Sequence, residues 1–415
     1  MSEQAALQRR LGVGDAVVIG VGSMIGAGIV AALAPAASAA GSALLIGLAV
    51  AAVVAYCNAV SSARLAARYP QSGGTYVYGR ERLGAFWGYL AGWSFVVGKT
   101  ASCAAMALTV GAYAWPEHAR AVAVGAVVAL TAVNYRGVQK SALLTRVIVA
   151  VVLAVLAAVV VSASGSGSLH AERLAISSPV SVYGVLQAAG LLFFAFAGYA
   201  RIATLGEEVR DPQRTIPRAI PIALAITLVV YAVVATTALA VLGPEQMAAS
   251  AAPLTDVARV AGVPGIVALV SVGGAIAALG SLLSLILGVS RTTLAMARDR
   301  HLPEALAAVH PKFGVPHHAE IAVGVVVAVL ATTVDVRGAI GFSSFGVLAY
   351  YCIANASAWM LSNSEGRPRR LIPIVGATGC VVLAFTLPLP SVLTGAAVIA
   401  LGALVYGARR QMQAR

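Results

Sequence analysis

The chain has 415 residues, of which 60% are hydrophobic and only 10% charged, with a mean hydropathy of +0.90. A soluble domain carries about 25% charged residues, so a soluble globular fold is excluded and an all-α polytopic membrane protein is expected. The formal net charge of +13 does not argue for a nucleic-acid partner, because only three of the 28 basic residues are lysines (Lys99, Lys140, Lys312) and the basic residues alternate with apolar runs.

Twelve apolar segments approach or exceed the roughly 20 residues needed to span a bilayer. They are read at 14–36, 41–67, 84–114, 119–135, 142–163, 181–205, 217–242, 264–290, 319–335, 338–362, 371–388 and 391–408. The last two are divided only by Pro388-Leu389-Pro390. Met1 to Arg10 is polar and the run behind it is long enough to span, so no cleavable signal peptide is expected.

The first span holds Gly20-Val21-Gly22-Ser23-Met24-Ile25-Gly26-Ala27-Gly28-Ile29. Each glycine weakens a helix by roughly 1 kcal/mol relative to alanine. In lipid such weakness is tolerated where the freed backbone faces protein, ligand or a wet cavity. The run is therefore either a close-packing face or a break whose backbone binds something.

The loops follow. Pro70-Gln71-Ser72-Gly73-Gly74-Thr75-Tyr76 reads as a turn into an aromatic interface segment, Gly165-Ser166-Gly167-Ser168 as a flexible external linker, and 244–263 as an external amphipathic helix. The stretch Arg291 to Glu320 carries His301, His310, His317 and His318, read as solvated loop histidines rather than a metal site. The four cysteines (57, 103, 352, 380) lie inside apolar runs and read as small core residues.

Basic residues set the orientation. With both termini inside, 22 Lys and Arg fall on the inner side, four outside (Arg120, Arg173, Arg259, Arg337) and two within spans (Lys99, Arg201). That bias follows the positive-inside rule. One missed span would scramble every later loop.

No phosphate-binding Gly-rich loop ending in Gly-Lys-Ser/Thr, no His-Glu-x-x-His and no nucleophile elbow with partners occurs. No enzymatic activity, metal or cofactor is expected. The sixth span carries a second candidate break at Phe193-Phe194-Ala195-Phe196-Ala197-Gly198-Tyr199-Ala200-Arg201. Interrupted helices at matching positions of two halves point to a transporter substrate site.

In order, these motifs resemble those of amino acid permeases of the amino acid–polyamine–organocation superfamily. The matches are Gly22-Ser23-Met24-Ile25-Gly26-Ala27-Gly28-Ile29, Phe194-Ala195-Phe196-Ala197-Gly198-Tyr199, Pro70 through Tyr76, Glu207-Glu208-Val209-Arg210-Asp211-Pro212-Gln213-Arg214-Thr215-Ile216-Pro217, and Ser290-Arg291 through Pro316. The resemblance implies a leucine-transporter-type fold of twelve transmembrane helices, a 5+5 inverted repeat plus two extra helices. Residues 1–163 would form the first repeat, 164–362 the second, and 363–415 the last two spans and a cytoplasmic tail.

The same resemblance implies a substrate site at Ser23, Met24, Ile25, Gly26, Ala27, Gly28, Phe194, Ala195, Ala197 and Gly198. Backbone N–H groups around Gly26, Ala27 and Gly28 would hold a carboxylate. Carbonyls near Met24, Phe194, Ala195 and Ala197 would hold an ammonium, and Phe194 would gate the site. A helix end offers such unpaired groups and the matching dipole.

Two departures bear on coupling. Where many relatives carry an acid after the second break, this chain has Ala200 and then Arg201; where proton-driven relatives often carry a lysine in span 5, it has Val152. Lysine taken out of water can exchange a proton near neutral pH, whereas arginine stays charged. Lys99 is therefore the candidate coupling residue, with Arg201 as a fixed charge beside Glu207 or Glu208. Ser281 and Ser284 form a candidate sodium site in span 8. No Asp or Glu sits mid-span, which favours a neutral or acidic amino acid over a cationic one. The expected function is secondary active, alternating-access uptake, coupled to protons, across a bacterial inner membrane with both termini cytoplasmic. Amino acid/polyamine exchange is the alternative, and a non-transporting sensor the rival of another class.

Overall fold

The computed structural model describes residues 11–25, 28–70, 73–137, 142–176, 180–203 and 209–413. Gly26 and Ala27 of the expected carboxylate cradle, Glu207 and Glu208, and Gln71-Ser72 of the turn motif lie outside the described residues. The described residues are almost wholly helical. In chain order the helices are α1 (Val13–Ile25), α2 (Gly28–Ala40), α3 (Leu44–Arg68), α4 (Thr75–Leu83), α5 (Ala85–Ala114), α6 (Ala119–Tyr135), α7 (Ala142–Gly165) and α8 (Val182–Phe196). There follow α9 (Ala200–Ala203), α10 (Pro212–Ala249), α11 (Pro253–Ala261), α12 (Ile266–Arg298), α13 (His317–Thr333), α14 (Val336–Trp359), α15 (Leu371–Thr386) and α16 (Leu389–Gln413).

Among the described residues, each apolar segment read from the sequence falls mainly on helix. By length and composition, nine helical segments among the described residues suit a membrane crossing, and Val13–Ile25, His317–Thr333 and Leu371–Thr386 are shorter apolar helices. Exposed apolar side chains line the outer surface, among them Leu143 and Val161 on α7, Val325 and Val329 on α13, and Leu404 on α16. In water such a surface would be unstable; in lipid it is the favourable one.

Local signals place the element ends. Ser181 caps α8 by accepting from the Gly184 N–H at 3.3 Å, and Asp335 caps α14 by accepting from the Gly338 N–H at 2.6 Å. Gly74, at φ 56°, takes the left-handed turn that launches α4. The prolines at 388 and 390 divide α15 from α16 where expected. Two loops differ from expectation. The stretch after Gly165 is tied down, because the His170 N–H donates to the Ala240 carbonyl at 3.1 Å and Arg173 donates to the Val241 carbonyl. The 244–263 region splits, its first part prolonging α10 past a kink at Gly243 and its second forming the amphipathic α11.

Helix α5 runs through the middle, against α12 on one side and α14 on another. The pair α1/α2 lies against α8, α10 and α7, while α8 lies against α2, α3 and α14. Peripheral contacts join α6 to α13, α5 to α6, α12 to α13, and α12 to α7. A polar network stitches α3, α14 and α15: the Asn355 Nδ2 donates to Asn58 Oδ1 at 2.6 Å, Ser61 Oγ donates to Asn355 Oδ1 at 2.7 Å, and Asn58 Nδ2 reaches Cys380 Sγ at 3.2 Å. Cys380 is thus a hydrogen-bonding member of the core and not only a small filler.

Candidate functional site: spans one and six in contact

Of the two candidate breaks, the first falls at Gly26 and Ala27, which lie outside the described residues; α1 is described to Ile25 and α2 from Gly28. The second is shallower than an open unwinding. After Phe196 the chain tightens into a 3₁₀ turn, Ala197–Tyr199, and re-enters helix at Ala200. A 3₁₀ turn shifts hydrogen bonds from i→i+4 to i→i+3, and the Ala197 N–H accordingly donates to the Phe194 carbonyl.

The described residues on either side of the first candidate break abut the second. A β-carbon on Gly28 would stand 2.5 Å from the Ala195 Cα, and one on Gly198 would stand 2.2 Å from the Ser23 carbonyl oxygen. Only glycine permits either approach. The other described glycines of the motif also pack closely: Gly20 against Ile202 and Ala223, Gly22 against Val149. The described glycines of this stretch thus form a close-packing face, while the expected break at Gly26 and Ala27 lies outside the described residues.

The expected acceptor carbonyls already have donors. The Tyr231 hydroxyl, on α10, lies 2.5 Å from the Met24 carbonyl and 2.9 Å from the Ala195 carbonyl, positioned to donate to either. Tyr351, on α14, donates to the Ala197 carbonyl at 3.3 Å. The ring of Phe196 packs on Tyr231 with centroids 5.2 Å apart, and Phe193 on Tyr351 at 5.8 Å. Both tyrosines escaped the sequence reading. Their signal was available: a tyrosine in mid-span needs a partner for its hydroxyl, and a helix break nearby supplies free carbonyls.

Exposure divides the site. Met24, Ile25, Ala195 and Ala197 are buried, whereas Ser23, Phe194 and Gly198 are partly accessible. Phe194 is the one phenylalanine of the three in the motif that is not fully buried, the position a gate would need. Ser23 spends its hydroxyl on the Ile19 carbonyl at 2.8 Å, a bond within α1.

The charged candidates are separate. Lys99 lies on α5, 7% exposed, one residue past the point where Gly98 meets Gly346 of α14, with no ion-pair partner among the described residues. Arg201 lies on α9 and is half-buried. On α12, Ser284 donates to the Gly280 carbonyl at 3.0 Å, while the Ser281 hydroxyl is buried without a hydrogen-bond partner among the described residues. Asp15 of α1 pairs with Arg146 of α7, joining the first helix to a neighbour. Among the described residues no group of three or more His, Cys, Asp or Glu could hold a metal.

Comparison with known proteins places this geometry. An uncharacterized transporter of Mycobacterium tuberculosis is 74% identical over 404 residues, covering 97% of this chain and 92% of its own. The methylthioribose transporter of Bacillus subtilis is 27% identical over 436 residues, covering 98% and 94%. The branched-chain amino acid permease BcaP of the same organism is 24% identical over 388 residues, covering 88% and 83%. The family model described as amino acid permease matches residues 11–405. The chain is a multi-pass membrane protein and belongs to the amino acid permease family.

Proposed function

We propose that this protein is a secondary active transporter of a neutral or acidic amino acid, working by alternating access around the two helix breaks and coupled to protons. The observation that carries the reading is the backbone contact between the described residues flanking the first candidate break and the 3₁₀ turn of the second. Gly28 and Gly198 press backbone to backbone on Ala195 and Ser23, while one tyrosine bridges the Met24 and Ala195 carbonyls. The amino group of a substrate would compete with the Tyr231 and Tyr351 hydroxyls for those acceptors. Its carboxylate would take the backbone N–H groups at the start of α2, the positive end of a half-helix.

Helix contacts support a 5+5 repeat. In that reading α1/α2, α3, α5, α6 and α7 are spans 1 to 5, and α8/α9, α10, α12, α13 and α14 are spans 6 to 10. Exchanging the two sets turns observed contacts into observed contacts: α5–α14 becomes α12–α7, α1–α7 becomes α8–α14, and α6–α12 becomes α13–α5. The helices α15 and α16 complete twelve spans. The repeats are 1–163 and 164–362, followed by 363–415. The excess of Lys and Arg on one side supports cytoplasmic termini, and with them a place in the bacterial inner membrane.

Lys99 is the coupling residue in this reading, and Ser281 and Ser284 are the sodium alternative. Uptake of labelled amino acids by reconstituted protein, with and without an imposed proton gradient, tests the proposal. Gradient-driven accumulation of alanine or glutamate supports it. Uptake only into vesicles preloaded with an amino acid or polyamine replaces symport by exchange, and failure of the whole amino acid panel while methylthioribose enters overturns the substrate class.

A further inference from the structure

A cavity of about 550 Å³ lies away from the helix breaks, where the start of α5, the end of α12 and the end of α16 converge. Its size falls within the roughly 300–1,000 Å³ of ligand pockets. One wall is aromatic: Tyr89 and Tyr406 stand 5.0 Å apart by ring centroid, and Phe86 meets Tyr406 at 5.5 Å. Trp87, 44% exposed, stands at its edge. An exposed tryptophan at a helix end is typical of the membrane–water interface.

The other wall is basic, and two of its guanidinium groups, those of Arg409 and Arg410, are not matched by carboxylates among the described residues. Asp299 is engaged by Arg80 at 3.0 Å and by the Tyr76 hydroxyl. Arg300 pairs with Glu304 at 3.6 Å. Arg409 donates to the Arg300 carbonyl at 3.2 Å, which aims it across the end of α12 and leaves its remaining N–H groups free of any carboxylate among the described residues. Arg410, beside it in the cavity lining, has no hydrogen bond or ion pair among the described residues. Two guanidinium groups beside an aromatic wall, level with the helix ends, match a phosphate diester bidentately.

We propose that this cavity binds the headgroup of an anionic phospholipid such as phosphatidylglycerol, with Arg409 and Arg410 on the phosphate and Phe86, Tyr89 and Tyr406 against the glycerol and upper acyl chain. Basic pockets between membrane helices hold such headgroups by the same chemistry. The bound lipid clamps α16 to α5 and α12, the helices at the centre of the fold. The site is independent of the substrate site.

The test uses the full chain purified in detergent. Thermal unfolding and lipid retention by native mass spectrometry are measured with added phosphatidylglycerol, phosphatidylcholine, or soluble glycerol phosphate. Phosphatidylglycerol alone is expected to raise the unfolding temperature. Arg409→Gln/Arg410→Gln is expected to weaken its binding by about tenfold or more, as loss of charge-assisted hydrogen bonds implies. Arg410→Gln alone, at an exposed and unengaged side chain, serves where the double variant folds poorly and should lose part of the effect. Arg367→Gln/Arg369→Gln is the control for charge alone and should keep the lipid response. An equal loss in that control, an equal response to phosphatidylcholine, or a full response to glycerol phosphate would each overturn the proposal.

Discussion

Gly28 and Ala195 meet without a side chain between them: a β-carbon at residue 28 would lie 2.5 Å from the Ala195 Cα and 3.1 Å from its carbonyl oxygen. Backbone cannot yield as a flexible side chain does. Gly28→Ala should therefore destabilise the fold by about 1–3 kcal/mol, the usual cost of overpacking, and depress uptake further by parting the two breaks. Gly288→Ala, inside α12 with nothing within 4 Å of the new carbon, should instead stabilise by up to about 1 kcal/mol. Thermal unfolding of both variants checks the contrast.

Tyr231→Phe removes the hydroxyl shared by the Met24 and Ala195 carbonyls while keeping the ring that packs on Phe196. Loss of a donor to buried acceptors costs about 1–3 kcal/mol. Tyr351→Phe, whose bond to Ala197 is longer at 3.3 Å, should cost less. If these hydroxyls stand in for a substrate ammonium, Tyr231→Phe changes the apparent KM for uptake more than it changes maximal rate. An unchanged KM would separate Tyr231 from substrate binding.

Lys99 has no acidic partner to hold a fixed charge among the described residues. Lys99→Ala is expected to flatten the pH dependence of uptake in liposomes while exchange of preloaded substrate persists. A pH profile like that of the wild type would remove Lys99 from coupling.

Glu365 joins three elements. Arg82 of α4 and Arg68 of α3 converge on its carboxylate, and the Ser362 N–H donates to it at 2.9 Å. The Arg82 guanidinium, then the Ser362 N–H and Arg68, hold its carboxyl well below the usual carboxylate range. A depressed folded pKa adds stability that is fully present above the unfolded value, about 4.3, and is lost as pH falls through the folded one. The stability gap between wild type and Glu365→Gln should thus be constant from pH 7.5 to about 5, near that reference value, and narrow below it. A gap that widens on acidification would contradict the assignment.

Glu320, in the first turn of α13, is fully buried, and neither carboxyl oxygen has a hydrogen-bond partner among the described residues. Burying such a group without a partner is costly. Glu320→Gln keeps the shape and removes the charge, so it should leave the unfolding temperature unchanged or raise it. Glu320→Lys should lower it, since a longer cation would enter the same space. A marked loss in Glu320→Gln would indicate a partner that needs the carboxylate.

Much of this protein could be read from residue order alone. Runs such as 142–163 and 217–242 are too apolar to be anything but buried or lipid-facing, and hydrogen-bonding requirements in lipid make them helices. The turn at Gly74 and the prolines at 388 and 390 marked interruptions because they act through local backbone freedom. The pairing of Gly28 with Ala195 could not be read, nor the hydroxyl of Tyr231 on Met24, because residues 36 to 207 positions apart meet only after the helices pack. Cys380 on Asn58, and Arg409 over the end of α12, belong to the same class. Local chemistry determined where helices run. Tertiary structure decided which helix faces which, and which side chain reaches the Met24 and Ala195 carbonyls.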